Sequence, residues 1–428
     1  MPIPTDHPLR LELNDEAHAR PPEALVPPQR ITYMALLSDL AQREHEWRHL
    51  CALARLFDVA APREGINHYS VDLGPFRLKW ERHSEFARYM FIVPGAGPDP
   101  FAEPAIAAVP AGWLAELPGA MIEACHIALT RADDVPLVPD QISTRLFGGN
   151  PLIGAEVAGG LAMAFSDFRI HGDGFSRLLL LDRGMAPRQS GRTVQRLLEI
   201  DTYRILALLA LPLARESTPM LTRWEHELAQ ITKGLVDASE RDEPLLLDRL
   251  TKLEAEIEGR ASDVHFRFSA AAAYHELVLQ RIADLREGRI AGLQTFREFI
   301  ERRLAPAMNT CRAVATRQDA LSLRVSRATQ LLSTRVDITR ERQNQALLES
   351  MNRRAKMQLR LQQTVEGLSV AAITYYMVSL VGYLAKGAQA AGFAIDANLA
   401  MGVAVPTVAL LVTLGIGRIR RAALRKGE

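Results

Sequence analysis

The stretch from Leu361 to Gly387, LQQTVEGLSVAAITYYMVSLVGYLAKG, decides the architecture of the C-terminal part of this chain. Within it, Leu368–Ala385 is a run of 18 residues without a charge, which corresponds to about 27 Å of α-helix. A second uncharged run, Ala397–Gly417, has 21 residues. Each run is close to the length that crosses about 30 Å of hydrocarbon. The sequence therefore predicts a two-helix transmembrane hairpin over residues 367–417, with a helical hairpin buried in a protein core as the alternative.

The charges that flank the two runs favour the membrane. The connection between them, KGAQAAGFAID, holds one Lys and one Asp. The outer flanks are basic, with Arg353, Arg354, Lys356 and Arg360 before the first run and Arg418, Arg420, Arg421, Arg425 and Lys426 after the second. Because cytoplasmic flanks are enriched in Lys and Arg, we predict that both termini, including a basic tail at 418–428, lie in the cytoplasm.

A long helical region precedes the hairpin. Strand patterns end near Gly191, and residues 189–366 are predicted as a helical bundle or stalk with breaks at Pro244, Gly259, Gly288 and Pro306. The last segment, 307–366, contains no Pro or Gly and would extend on the order of 90 Å as one helix. Such a helix must pair with other helices of this chain or of sister chains, so we predict a coiled-coil region and a homo-oligomer.

The N-terminal part is predicted to be an α+β domain. Residues 1–30 are rich in Pro and charge and are interpreted as an extended arm, and residues 31–188 as a domain with a mixed or antiparallel sheet. Apolar residues between Ile31 and Phe57 follow a helical period. Alternation from Ile66 onward predicts strands, and Asp173-Gly174 predicts a two-residue type I′ turn of a hairpin.

Composition excludes several classes of function. The chain has 428 residues, a net charge of +1 and three widely spaced cysteines. A near-neutral chain has no global field for nucleic acid, and the cysteine spacing matches neither a disulfide framework nor a thiolate metal site. The sequence points to no cofactor and favours a protein that is not an enzyme.

One short motif matches a zinc hydrolase. HEWRH, from His45 to His49, fits H-E-x-x-H, in which two histidines share a helix face and Glu46 would activate water. However, charged residues surround and interrupt the motif, and no third ligand follows in a recognisable pattern. A solvated helix face is the favoured interpretation, and zinc hydrolysis is the third hypothesis.

A polar stripe on the long helix is the other candidate site. Asp337, Glu341 and Asn344 fall at spacings of three and four residues on one helix face, and this face becomes apolar toward the membrane. In a symmetric assembly these groups would face inward, either paired with Arg335 and its neighbours or in contact with a divalent cation. A solvated, salt-bridged face is the alternative.

The chain resembles an uncharacterised family of predicted membrane-anchored bacterial proteins, catalogued only as a domain of unknown function. The resemblance rests on HPLRLELNDEAHARP, FRLKWERHSEF, GRTVQRLLEIDTYRILALLALPLAR and the segment from Arg335 to Gly387. It implies anchoring in the bacterial inner membrane and brings no activity or catalytic residues. A looser architectural likeness is to CorA-type magnesium channels, although their Gly-Met-Asn motif is replaced here by YLAKGAQ.

Two functions follow as hypotheses. The first is a CorA-like cation channel or transporter formed by the assembled hairpins. The second is a membrane-anchored scaffold whose cytoplasmic domain binds a protein partner. The expected partners are the lipid bilayer and further copies of the chain, and not nucleic acid.

Overall fold

The computed structural model describes residues 5–11, 13–14, 21–97, 99–135, 138–392 and 396–424, the last six without their side chains. The chain divides into two compact units. The first unit comprises Met1–Asp237 and Leu245–Thr329, and the second comprises Ala238–Pro244 and Gln330–Glu428. The predicted combination of an α+β N-terminal domain, a long helix and C-terminal apolar helices is confirmed.

The described residues of the first unit form a nine-stranded mixed sheet with the order β2-β3-β4-β1-β5-β8-β7-β6-β9. Strands β5 and β8 pair in parallel, whereas the other described pairs are antiparallel. The strands are β1 (Gln29–Leu37), β2 (His68–Asp72), β3 (Arg77–Arg82), β4 (Phe86–Pro94), β5 (Ala120–Arg131), β6 (Ile153–Val157), β7 (Ala162–Ser166), β8 (Ser176–Asp182) and β9 (Gly288–Arg289).

The helices cover the sheet and then form a bundle. They are α1 (Arg43–Leu56), α2 (Ala111–Ala115), α3 (Pro139–Leu146), α4 (Pro187–Leu208), α5 (Ala210–Asp237), α6 (Glu243–Leu285), α7 (Phe296–Arg303), α8 (Ala305–Ala390) and α9 (Ala397–Leu424). Helix α4 packs on β5, and the hydroxyls of Tyr33 and Thr202 share a hydrogen bond of 2.8 Å across this layer. Separate apolar clusters form around Trp80 and Phe91 and around Phe147 and Phe165.

The helix predicted from Ile31 is wrong in its first part. Residues Gln29–Leu37 form β1, and the helix begins only at Arg43. Strand β1 lies in the sheet between β4 and β5, and every residue from Ile31 to Leu36 is buried. A strand buried on both faces has no polar alternation, so its apolar run resembles part of a helix.

The predicted two-residue turn is also wrong, although its strands do pair. Strands β7 and β8 are antiparallel, with Ala162 opposite Asp182, but residues 167–175 separate them. Gly174 has a φ of +87°, whereas Asp173 is not among the residues with positive φ. The Asp173 carboxylate instead accepts a hydrogen bond of 3.0 Å from the Phe175 backbone N–H, which shapes a longer loop.

The predicted helix breaks have mixed outcomes. Helices α6 and α8 begin within two residues of Pro244 and Pro306, and Gly288 lies in β9. The break at Gly259 is wrong, because α6 continues through it. A glycine inside a helix costs only about 1 kcal/mol, which the rest of a long helix offsets. For the same reason α8 continues through Gly367.

The two apolar helices approach each other closely in the second unit. A Cβ placed on Gly382 in α8 would lie 2.6 Å from the Met401 sulfur in α9. The absence of a side chain at Gly382 therefore lets the helices meet. Small residues at such contacts are typical of membrane helices.

Candidate functional site

The apolar parts of α8 and α9 are long enough to cross a membrane, and almost none of their residues are buried. In the helical segment Phe296–Ala390, only 6% of the most apolar stretch of 18 residues is buried. In Ala397–Arg418, none of the corresponding stretch is buried. Hydroxyls in these helices donate to the backbone carbonyl four residues earlier, as Thr374 does to Val370 and Thr407 to Val403. These polar groups are thus satisfied within their own helix, as a hydrocarbon environment requires.

The acidic stripe lies in the second unit on the exposed surface of α8. Asp337, Glu341 and Asn344 are all exposed, and the Glu341 carboxylate accepts a hydrogen bond of 3.3 Å from Gln345. Among the residues that the structure describes, neither carboxylate of the stripe forms an ion pair. Arg335, expected as a partner of the stripe, instead pairs with the buried Glu243. The two acids are therefore available to an ion or to another chain.

The HEWRH motif does not present a ligand set on one open face. Glu46 is fully buried, and its carboxylate pairs with Arg82 and accepts a hydrogen bond from Ser38. His49 stacks on Trp113 at 4.5 Å between ring centroids, and its Nε2 donates to the Trp113 carbonyl at 2.9 Å. Burial raises the pKa of Glu46 and lowers that of His49.

His45, the first residue of the motif, is exposed. Within the described ranges, no cluster of three or more His, Cys, Asp or Glu side chains could hold a metal. The side chains of Glu46 and His49 thus join α1 to the sheet and to α2.

A buried charge cluster at the sheet was not anticipated from the sequence. Arg88 on β4 pairs with Glu81 on β3 and lies 3.3 Å from a Glu199 oxygen on α4. Glu199 also pairs with Arg281 on α6, and Lys79 lies 3.1 Å from Glu81. Burial would raise the pKa of Glu81, but the positive charges of Arg88 and Lys79 outweigh it and lower that pKa. Glu81 is consequently ionised, and its charge is compensated, as that of a buried carboxylate must be.

A second buried pair of acids lies beside this cluster. Burial, and then the neighbouring Asp201 carboxylate, raises the pKa of Glu123 to about 9. Glu123 accepts a hydrogen bond of 3.1 Å from Ser176, while Asp201 pairs with Arg204. Two close carboxylates rarely ionise together, so Glu123 holds its proton at neutral pH.

One family model, described as "Protein of unknown function (DUF3422)", matches residues 5–423. The chain belongs to this family. No curated protein and no solved structure matches this chain. The resemblance noted in the sequence is thus confirmed, and family membership brings no assigned activity.

The sequence of this DUF3422 chain did contain a signal for the buried charge cluster. Lys79 and Glu81 alternate with Leu78 and Trp80 in β3, so the two charged residues share one face of the strand. Glu199 lies between Leu198 and Ile200 in a buried stretch of α4. Such charges in buried elements require partners, but only the fold shows which strands and helices supply them.

Proposed function

We propose that this protein is anchored in the bacterial inner membrane by the α8–α9 hairpin, with both termini in the cytoplasm. The proposal rests on the low burial of the two apolar stretches: 6% of the stretch in α8 and none of the stretch in α9 is buried. A patch of this size left in water would be a strong aggregation site, whereas a bilayer covers it. The basic flanks and the nearly neutral connection set the orientation.

Topology reporters test this anchoring. A reporter inserted after Ala390 is expected to be active on the periplasmic side, and one fused after Glu428 on the cytoplasmic side. A fusion after Arg303, before α8, serves as a cytoplasmic control. If the Ala390 and Glu428 fusions reported the same side, the hairpin would not cross the membrane.

The anchored protein is proposed to act as a self-associating scaffold whose α+β domain binds a protein partner. Support comes from α8 between Thr329 and the first apolar run, where Leu348, Met351 and Leu359, on the face that continues the acidic stripe, are all more than half exposed. Exposed apolar residues along a helix favour pairing with a neighbouring helix. Insertion of the hairpin would align copies of α8 in parallel, so a second copy is the nearest partner.

Paired substitutions test self-association. Leu348→Gln with Met351→Gln alters the face that continues the acidic stripe, whereas Leu347→Gln changes an equally exposed leucine about 100° around the helix. The double substitution is expected to shift the detergent-solubilised protein toward monomer in light scattering, and the single one is not. A monomeric unaltered protein would contradict self-association.

Cation conduction is the second candidate, and the acidic stripe favours it. Stacked Asp and Glu rings concentrate cations at a pore mouth, and Asp337 and Glu341 are exposed without ion pairs among the described residues. The scaffold is preferred because Leu368–Ala385 and Ala397–Gly417 carry no ionisable side chain except tyrosine. A pore lined by these helices would offer cations no fixed negative charge.

Flux measurements separate the two candidates. Purified protein in proteoliposomes would be tested with Mg²⁺, Co²⁺, K⁺ and Na⁺. If the protein is a channel, the unaltered protein should conduct cations, and Asp337→Asn with Glu341→Gln should abolish the flux. Glu349→Gln removes a carboxylate outside the stripe and should leave the flux unchanged. The scaffold proposal expects no flux from the unaltered protein, together with recovery of a protein partner that depends on the α+β domain.

A further inference from the structure

A cavity lies between two helices of the first unit. Helices α6 and α8 are antiparallel there, because Ser322 donates a hydrogen bond to Glu258 while Arg312 lies near His275. The cavity has a volume of about 270 Å³. This exceeds the roughly 150 Å³ that accommodates benzene, so the space suits a molecule slightly larger than a single aromatic ring.

The walls of the cavity are mainly apolar. They include Val264, Phe268 and Ala271 from α6 and Met308, Cys311 and Ala315 from α8. Cys311 and Met308 are 5% and 4% exposed, so the α8 side of the wall is part of the packed interior. An apolar wall favours a ligand with an aromatic or aliphatic body.

Two polar side chains in the lining have buried nitrogen atoms for which the described part of the chain supplies no hydrogen-bond partner. Gln318 is 3% exposed, and its Nε2 has no hydrogen-bond partner among the described residues. The Nε2 of His275 is likewise buried and without a partner in that part of the chain. Buried polar groups in folded proteins are normally paired, and the Gln318 amide nitrogen is a donor only. A ligand in this cavity should therefore bring hydrogen-bond acceptors.

Charge distinguishes the two ends of the cavity. Arg312 is exposed, and its guanidinium donates a hydrogen bond of 2.9 Å to the Asn309 side chain. Burial, and then the Arg312 charge, lowers the pKa of His275, so its imidazole is neutral at pH 7. Asp319 lies in the lining next to Gln318, about 10.5 Å along α8 from Arg312. An anionic group is thus favoured at the Arg312 end and disfavoured at the Gln318 end.

We propose that this cavity binds a small aromatic carboxylate that carries a second, neutral acceptor at its far end. The carboxylate would lie against Arg312 and His275, and the ring against Phe268 and Ala315. The neutral oxygen would accept a hydrogen bond from the Gln318 amide. A molecule such as 4-hydroxybenzoate has this separation of groups, and the site is independent of the membrane anchoring proposed above.

The test uses the full chain in lipid nanodiscs, with 4-hydroxybenzoate as the probe and benzoate and phenol as comparators. Saturation-transfer NMR titrations are expected to rank 4-hydroxybenzoate above benzoate and phenol, by about fivefold or more for each missing polar group. Gln318→Leu should remove the advantage over benzoate without weakening benzoate itself. Equal affinity for the three probes, or no binding at millimolar concentration, would overturn the proposal.

Two matched variants locate the binding. Ala315→Leu fills the cavity and should reduce binding of 4-hydroxybenzoate at least tenfold, whereas Ala313→Leu makes the same change on the exposed face of α8 and should not. Equal binding to both variants would refute the site.

A second measurement avoids dependence on a folded Ala315→Leu variant. In the unaltered protein, 4-hydroxybenzoate should slow maleimide labelling of Cys311, measured by mass spectrometry. Labelling of the other buried cysteines, Cys51 and Cys125, should not change. If Cys311 were not protected at saturating probe, the proposed location would be wrong.

Discussion

Gly191, near the start of α4, is the position at which a single methyl group should have the largest predictable effect. A Cβ added there would lie 1.7 Å from the backbone oxygen of Glu23. Real Cβ contacts are rarely shorter than 3.0 Å, so Gly191→Ala must separate the two backbones by at least about 1.3 Å. The contact joins a Cβ to backbone atoms, so rotation of a side chain cannot relieve it.

The segment that contains Glu23 is held from both directions. The Glu23 carboxylate accepts a hydrogen bond of 2.7 Å from Ser70 and lies 3.3 Å from Arg77. Two residues later, Leu25 is 2% exposed, and its N–H donates to the Pro187 carbonyl at 3.0 Å. Moving the segment away from α4 loosens the Leu25 side chain and this hydrogen bond.

The expected loss can be worked out from these contacts. Full burial of a leucine side chain contributes roughly 1.5–3 kcal/mol, and a backbone hydrogen bond about 0.5–1.5 kcal/mol net. Alanine recovers about 1 kcal/mol through its higher helix propensity. Gly191→Ala should therefore lower the free energy of unfolding of the first unit by about 1–3.5 kcal/mol.

Gly259→Ala is the matched control, because Gly259 lies inside α6 and an added Cβ there would meet no atom within 4 Å. It should stabilise the unit by up to about 1 kcal/mol. Denaturant unfolding of the detergent-solubilised protein, followed by tryptophan fluorescence, compares the two variants. If Gly191→Ala were as stable as Gly259→Ala, the close approach of the arm to α4 would be refuted.

Three further predictions concern buried ionisable groups. Burial and the Asp201 carboxylate raise the pKa of Glu123 from 4.5 to about 9. The contribution of Glu123 to stability is therefore complete at low pH and is lost as the pH rises from about 4.5 toward 9, so the unfolding temperature should fall over this range. In Glu123→Gln, the fall in unfolding temperature should be smaller. Arg88→Met removes the positive charge between two buried carboxylates and should lower the free energy of unfolding by about 3–5 kcal/mol. Lys252→Met, which breaks an exposed pair, should lower it by less than about 1 kcal/mol. Equal losses for the two variants in denaturant unfolding would contradict the importance of burial. Purified protein should contain no stoichiometric zinc by metal analysis, and tight zinc that is lost in His49→Ala would reverse this expectation.

Local patterns predicted some elements well and failed at others for a common reason. Strands β2, β3 and β4 and the long helix α8 follow from alternation and from composition within single segments. Strand β1 was mistaken for part of a helix because its neighbours β4 and β5, distant in sequence, bury both of its faces. The β7–β8 connection was mistaken for a tight turn because Asp-Gly is favourable there, although pairing between Ser166 and Leu178 sets a longer loop.

The candidate sites show the same limit. The acidic stripe lies on an exposed face as the helical spacing predicts, but Arg335 turns away from it to the buried Glu243. The HEWRH residues lie on a helix, yet Arg82 and Trp113, from other elements, decide what Glu46 and His49 contact. Neither partner could be read from the motif itself.

The sequence by itself determined the two long apolar helices, their basic flanks and the long helix that leads into them, because length, charge and helical period are properties of a continuous segment. Only the tertiary structure decided how Arg88, Glu81, Glu199 and Arg281 meet, since they come from β4, β3, α4 and α6. It also decided that Gly191 must lack a side chain and that Gln318 lies buried beside a cavity. These properties depend on distances between segments far apart in the chain, which no local pattern encodes.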